Sequence, residues 1–204
     1  MDRREREKER LRQQILTAAR DLLIENGPEN VSMRKIAEKI EYSPTTIYLY
    51  FKDKTELLFA LTEETFAKLL SQLERISERE RDPMIAVREM CVAYIRFGLA
   101  HPNDYLVAFM VPQAGPAWGE YRYEGTKAQA AFDLLRGAVG ECMAKKKFRR
   151  RDIDVVSQNV WASIHGLTSL FIAHAGFPWR KKEELIEHLL ETLMTGLKSR
   201  KDGK

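Results

Sequence analysis

The chain has little cysteine, no strand-like alternation of useful length, no internal repeat and no apolar stretch behind its first charges; each lack removes a class of protein. Cys91 and Cys142 are the only cysteines in 204 residues, and both sit in apolar helical surroundings. They read as buried thiols in a reducing compartment rather than as a disulfide framework. No basic cluster flanks Cys91 to lower its pKa, which argues against a redox switch. The opening charges of residues 1–14 are not followed by an apolar core, so they do not form a secretory signal, and the chain is expected in the cytoplasm. The stretch from Val155 to Trp179 lacks Asp, Glu, Lys and Arg, yet it carries Ser157, Gln158, Asn159, Ser163, His165, Thr168, Ser169 and His174. Each polar group is costly in lipid, so a buried helix is expected there and no membrane span.

Chemistry is scarce as well. No phosphate loop and no nucleophile, histidine and acid arrangement is present, so an enzyme is not expected. His101, His165, His174 and His188 have no ligand-spaced cysteine or carboxylate beside them, so neither a metal nor a cofactor is expected. Charge is nearly balanced, with 34 basic and 30 acidic residues, a net +4 that is compatible with a polyanionic partner without requiring one.

What is present is helical periodicity. Hydrophobic residues make up 44% of the chain and charged ones 31%, enough to bury a core and remain soluble. Apolar residues at three-four spacing predict an all-α fold of about nine helices. The first carries Leu11, Ile15, Ala18, Ala19, Leu22 and Leu23 and stops at Asn26-Gly27-Pro28. Ser32 caps a short second helix, and Ser43-Pro44, a hydroxyl cap followed by proline, opens a third. Asp53 and Glu56 have capping-box spacing at the start of a long fourth helix. Further helices are expected over about 84–100, 103–111, 124–144, 152–175 and 182–197, with a breaker-rich loop at 112–119. The division expected is a helix-turn-helix domain over residues 1–60 and a larger helical bundle over 61–204.

A helix-turn-helix needs a small residue where its helices cross, a tight turn, and an apolar residue on the second helix facing the first. Ala37, the turn Glu41-Tyr42-Ser43 and Ile47 supply these at suitable intervals. The short helix after the turn is rich in hydroxyls: Ser43, Thr45, Thr46, Tyr48 and Tyr50 follow one another around Pro44. Such groups can donate to phosphate oxygens or meet base edges in a major groove. Lys52 and Lys54 follow it, and Arg34 and Lys35 stand at the start of the preceding helix next to Ser32, a candidate phosphate clamp. A helical hairpin with a solvated lysine-rich face fits the same residues, since the first 60 positions hold 12 basic and 11 acidic side chains.

The run from Leu11 to Leu58 resembles the DNA-binding domain of the TetR/AcrR family of transcriptional regulators. Ile15 to Ala19, Leu22-Leu23, Gly27 and Val31 to Ala37 carry the likeness. Above all, Tyr48, Tyr50-Phe51 and Lys54 match the family's tyrosine, x, histidine-or-tyrosine, phenylalanine, x, x, lysine pattern. The resemblance implies Ser32, Tyr48, Tyr50 and Lys54 at phosphates of double-stranded DNA and Thr45 and Thr46 nearest the bases. Aromatics at the spacing of Tyr48 and Phe51 can instead pack the third helix onto the first, and Phe51 is expected to do so. In one respect the chain departs from it: the family usually has glycine in the turn where this sequence has Glu41, so a non-glycine residue is expected to bear a left-handed backbone. The N-terminal arm, with Arg3, Arg4, Arg6 and Arg10, either reaches a neighbouring minor groove or forms a solvated helix.

Farther along, Trp161 and His165-Gly166 resemble the tryptophan, three residues, histidine-glycine signature of the C-terminal domain of a subset of these regulators. Gly166 is expected to let another helix approach closely, and His165 either binds a ligand or is a core histidine. Tyr94, Phe97, Tyr105, Phe109, Trp118, Tyr121, Phe132, Trp161 and His165 are the candidate effector-pocket residues, suited to a small hydrophobic guest. The family resemblance implies a homodimer joined through the last two helices, and a ligand that moves the fourth helix to release DNA. The expected function is a ligand-responsive regulator, most simply a repressor of a palindromic operator. A constitutive DNA-binding protein or an enzyme using the C-terminal pocket are the competing readings.

Overall fold

The computed structural model of the chain describes residues 2–110 and 123–199. Among these residues lie nine α-helices: α1 (Arg3–Asn26), α2 (Met33–Lys39), α3 (Pro44–Tyr48), α4 (Lys54–Arg79), α5 (Pro83–Ala100), α6 (Pro102–Met110), α7 (Lys127–Ala144), α8 (Ile153–Ala173) and α9 (Lys182–Leu197). A single antiparallel bridge, Phe148 with Lys198, is the only strand-like pairing among the described residues. The fold is all-α, as the periodicity requires. The expected loop at 112–119, with Trp118 and the nearby Tyr121, lies outside the described residues.

The chain divides into two compact units, Met1–Phe66 with Asn103–Tyr123, and Ala67–Pro102 with Glu124–Lys204. In the first, α1 opens with a capping box. Glu5 N–H donates to the Asp2 carboxylate at 2.8 Å, and Asp2 N–H donates to the Glu5 carboxylate at 2.8 Å. The arginine-rich arm is therefore the exposed beginning of α1, where Arg3 pairs with Glu7 at 3.1 Å. α1 ends where Gly27 takes φ 77°, and its N–H donates to the Leu23 carbonyl at 3.0 Å. The face carrying Ile15, Leu16 and Ala19 is fully buried against Ile36, Ala37 and Ile47 of α2 and α3 and Leu57 and Leu61 of α4. That apolar burial is the main driving force of the unit.

Charge joins α6 to this unit. Asp104, 8% exposed, receives Arg20 Nε at 2.5 Å, and Arg20 also reaches Glu64 at 3.5 Å. Glu64 in turn accepts from Gln13 at 2.8 Å and faces Arg12 at 3.6 Å. Helices α1, α4 and α6 thus share one partly buried polar network.

In the second unit α5 packs against α7, α8 and α9. Asp82 caps α5 by accepting from Met84 N–H at 2.9 Å, with Pro83 at the first helical position. α7 begins at Lys127, later than the pattern predicts, because Thr126 caps it, accepting from Gln129 N–H at 3.1 Å after Gly125 at φ 81°. Cys91 and Cys142 are buried, and desolvation pushes both thiols up to about 12. Gly166 corrects an expectation: among the described residues a Cβ there would meet nothing within 4 Å, so no described helix makes the close approach its small size permits. On α8, Val155, Trp161 and Leu170 remain exposed, and along α9 only Leu190 and Met194 are fully buried.

Removing one partner of a buried ion pair leaves the other charge uncompensated, at a cost of about 3 kcal/mol or more. Asp104→Ala is expected to destabilise the first unit by about 3 kcal/mol, the low end of that range because Glu64 still faces Arg20. Chemical denaturation of the full chain measures it, and an unchanged midpoint would contradict the buried network.

Candidate nucleic-acid interface

Two short helices and the turn between them are specified by caps at each junction. Ser32 Oγ accepts from Lys35 N–H at 3.2 Å and starts α2. At the other end of α2, Glu41 N–H donates to the Glu38 carbonyl at 3.2 Å and Tyr42 N–H to the Ala37 carbonyl at 3.0 Å. This paired closure is a Schellman turn, and its left-handed residue is Glu41 at φ 60°. Glutamate therefore occupies the position that favours glycine, as the departure from the family pattern anticipates. Ser43 Oγ then accepts from Thr46 N–H at 3.2 Å, and Pro44 stands at the first turn of α3. Ile47 is fully buried, which fixes how α3 is rotated.

With Ile47 inward, the opposite side of α3 faces out. Ser43, Pro44 and Thr45 are exposed, Tyr48 is 54% exposed and Leu49 76%. Thr46 and Tyr50 are half-buried, while Lys52 is exposed at the end of the segment. Phe51 packs inward at 2% exposure, with the Arg12 guanidinium 5.4 Å from its ring centre. Leu49 was missing from the expected set, although its place four residues after Thr45 puts it on the same helical face.

The basic residues are differently disposed. Arg34 Nε reaches Glu38 at 3.2 Å, and Lys35 Nζ donates to the Asn30 carbonyl at 2.8 Å. Lys54 is half-buried and its ammonium donates to the Pro28 carbonyl, tying the start of α4 to the turn after α1. Burial holds this ammonium below its ordinary pKa, with the Glu29 carboxylate opposing the shift. The cap of α4 differs slightly from a regular capping box. Glu56 N–H donates to Asp53 Oδ1 at 2.8 Å, but the Glu56 carboxylate accepts from Lys52 N–H at 2.6 Å, one residue before the cap.

The candidate effector residues separate into groups. In the second unit, Tyr94 Oη lies 3.0 Å from His165 Nδ1, and Trp161 Nε1 donates to Tyr94 Oη at 3.4 Å. The Phe132 and Trp161 ring centres are 6.2 Å apart, so four of the expected residues form one cluster on α5, α7 and α8. Phe97 instead packs on His101 at 5.0 Å. Tyr105 and Phe109 belong to the first unit, where their ring centres are 4.6 Å apart and Phe109 meets Phe66 at 5.0 Å. Desolvation lowers the His165 pKa and favours its neutral form.

Residues 15–61 match the family described as bacterial regulatory proteins, tetR family, and residues 87–193 match the tetracyclin repressor-like C-terminal domain. The chain belongs to the TetR family. The family is one of regulatory proteins and not of enzymes. The HTH-type transcriptional regulator UidR of Escherichia coli K12 is 30% identical over 120 residues, 59% of this TetR-family chain. The matched stretch spans 31% to 51% of the length of UidR and a fatty acid metabolism regulator of Bacillus subtilis. In fold, the chain is similar to a protein of unknown function from Rhodococcus sp. RHA1, with TM-score 0.73 and 25% identity over 93% of this chain and 96% of that one. It is also similar to the regulator FadR of Bacillus subtilis solved with stearoyl-CoA, with TM-score 0.76 and 19% identity over 91% of this chain and 98% of that one. No described helix is long and apolar enough to cross a membrane.

A left-handed backbone costs a non-glycine residue roughly 1–2 kcal/mol, while glycine loses about 0.5–1 kcal/mol more chain entropy on folding. Glu41→Gly is therefore expected to stabilise the chain by about 0.5–1 kcal/mol, read as a raised thermal midpoint. For His165, a pKa held below the ordinary 6.5 means that the unfolded chain takes up its proton first as pH falls. Stability should decline from about pH 6.5 downward, and His165→Gln should flatten that decline in unfolding measured from pH 7 to pH 5.

Proposed function

We propose that this chain is a ligand-responsive transcriptional regulator, a repressor in its simplest form, that binds palindromic operator DNA as a homodimer and is released by a small hydrophobic effector. The observation that carries the reading is the outward face of α3. Ser43, Pro44, Thr45 and Tyr48 are exposed on a helix whose rotation Ile47 fixes, with Lys52 exposed beyond it. A helix of this kind fits the major groove, where hydroxyls meet base edges and phosphates. Ser32, Arg34 and Lys35 at the start of α2 supply further phosphate contacts. Thr46 and Tyr50 contribute from the edges of the α3 face. Lys54 reaches phosphate only if its ammonium leaves the Pro28 carbonyl, and so acts first as a brace.

In this reading residues 1–60 grip the duplex and residues 61–204 dimerise and bind the effector. The exposed Val155 and Leu170 of α8 and the half-buried Leu185, Ile186, Leu189 and Leu193 of α9 support a second copy as their cover. The cluster of Tyr94, Phe132, Trp161 and His165 supports an apolar or aromatic guest with one hydrogen-bonding group. The stearoyl-CoA bound by FadR shows that a protein of this fold can hold a long apolar ligand. Such a molecule works by preferring the non-binding form, and a preference of about 10⁴-fold moves the population from 99:1 to 1:99. The regulator acts in the cytoplasm, where its operator is.

The test is a gel shift of the full chain on the duplex upstream of its own gene across a salt series. Retardation is expected to weaken as salt rises. Lys52→Ala should lower the slope of log K against log salt by ~1, and Tyr48→Ala should weaken binding by about 1–3 kcal/mol. Loss of the shift at every salt, or no effect of either change, would sink the assignment. A thermal-shift screen reports on the effector, since a ligand at 100 times its Kd adds about 2.7 kcal/mol.

A further inference from the structure

The loop between α7 and α8 reads Lys145-Lys146-Lys147-Phe148-Arg149-Arg150-Arg151, six cations in seven residues without one acid. In the helical pattern it is only the gap between two elements, but its backbone is built. α7 closes in a second Schellman turn, with Lys146 N–H donating to the Met143 carbonyl at 3.0 Å and Lys147 N–H to the Cys142 carbonyl at 2.8 Å. The left-handed residue of that turn is Lys146 at φ 55°, a lysine where glycine would be free of strain. Phe148 is 1% exposed and anchors the loop inward. The far side is stitched to the end of α9: Arg149 N–H donates to the Leu197 carbonyl at 2.9 Å and Ser199 N–H to the Lys147 carbonyl at 2.9 Å. Arg149 Nε donates to the Lys198 carbonyl at 3.0 Å.

The acids nearby are engaged elsewhere or on the margin of the loop. Glu141 pairs with Lys145 at 3.2 Å, Asp82 holds Lys147, Asp152 caps α8, and Asp154 takes Arg136 at 2.5 Å. Lys146, Arg150 and Arg151 are exposed and have no acidic partner among the described residues. Among the described residues the Arg149 guanidinium meets a carbonyl and not a carboxylate. Crowding like charges on a fixed loop costs stability through self-repulsion, a cost relieved when a polyanion covers them.

We propose that the 145–151 loop is a second, sequence-independent surface for the phosphate backbone of duplex DNA, separate from the α3 face. Regularly spaced phosphates suit a row of cations held by the backbone, because each one neutralised releases a condensed counterion. Guanidinium groups add bidentate geometry at phosphate. An anionic lipid surface is the weaker fit. Interfacial membrane sites combine cations with an exposed apolar anchor, and the loop's one apolar side chain, Phe148, is turned inside.

Fluorescence anisotropy with a labelled random-sequence 30-base-pair duplex separates the two surfaces in the full chain. Lys146→Gly, Arg150→Ala and Arg151→Ala together remove three cations while relaxing the strained turn, so the variant should unfold no lower than the parent. Tyr48→Ala with Lys52→Ala disables the α3 face. The expected result is that the α3 changes lower the salt slope on random duplex by only ~1, whereas adding the loop changes weakens binding a further tenfold or more and lowers the slope by another ~2.7. The assignment is overturned if the loop variant binds as the parent does, if the α3 changes alone abolish random-duplex binding, or if vesicles containing phosphatidylglycerol are bound and duplex does not compete. Failure of the promoter gel shift with an intact loop effect would strike the regulator reading alone.

Discussion

The left-handed closure at the end of α2 is the constraint on which the DNA-facing surface rests. Tyr42 N–H can reach the Ala37 carbonyl only when Glu41 takes a positive φ, and that reversal delivers Ser43 to the cap of α3. From there the order of events is steric. Ser43 and Pro44 set the helix start, Ile47 must enter the core beside Ala37, and what lies opposite must face outward. The hydroxyls and the exposed Tyr48 are thus placed by a backbone turn and one buried isoleucine.

Around that turn the fold uses lysines and arginines as joints before it uses them as free charge. Lys54 braces α4 against Pro28, Lys35 braces α2 against Asn30, and Arg20 links α1 to α4 and α6. An amphipathic side chain whose stem packs and whose head finds a carbonyl or carboxylate contributes rigidity at the point where it is anchored. The near balance of acids and bases in the first 60 residues reflects this pairing. Net charge therefore says little about the surface, and the position of each unpaired head says more.

Local signals were legible in the sequence and distant ones were not. The caps Ser32, Ser43-Pro44 and Asp53 act within three or four residues, so the helix starts they announce are where they should be. Phe51 reads as packing because its spacing puts it opposite the hydroxyl face. The convergence of Tyr94 with Trp161 and His165 joins positions about 70 apart, and periodicity identifies each as apolar or aromatic without saying which will touch. That is why the aromatic set divides, with Tyr105 and Phe109 packed beside Phe66 instead. The pairing of Arg20 with Asp104 and the stitching of the basic loop to Lys198 are of the same long-range kind.

Both native thiols are sealed in the second unit, and burial keeps them protonated up to about 12. At neutral pH maleimides and iodoacetamides need thiolate and access, and neither Cys91 nor Cys142 supplies them. For a chemist the folded chain is silent to such reagents. A cysteine introduced on the α3 face or in the basic loop would carry a fluorophore or spin label alone, with no background to engineer away.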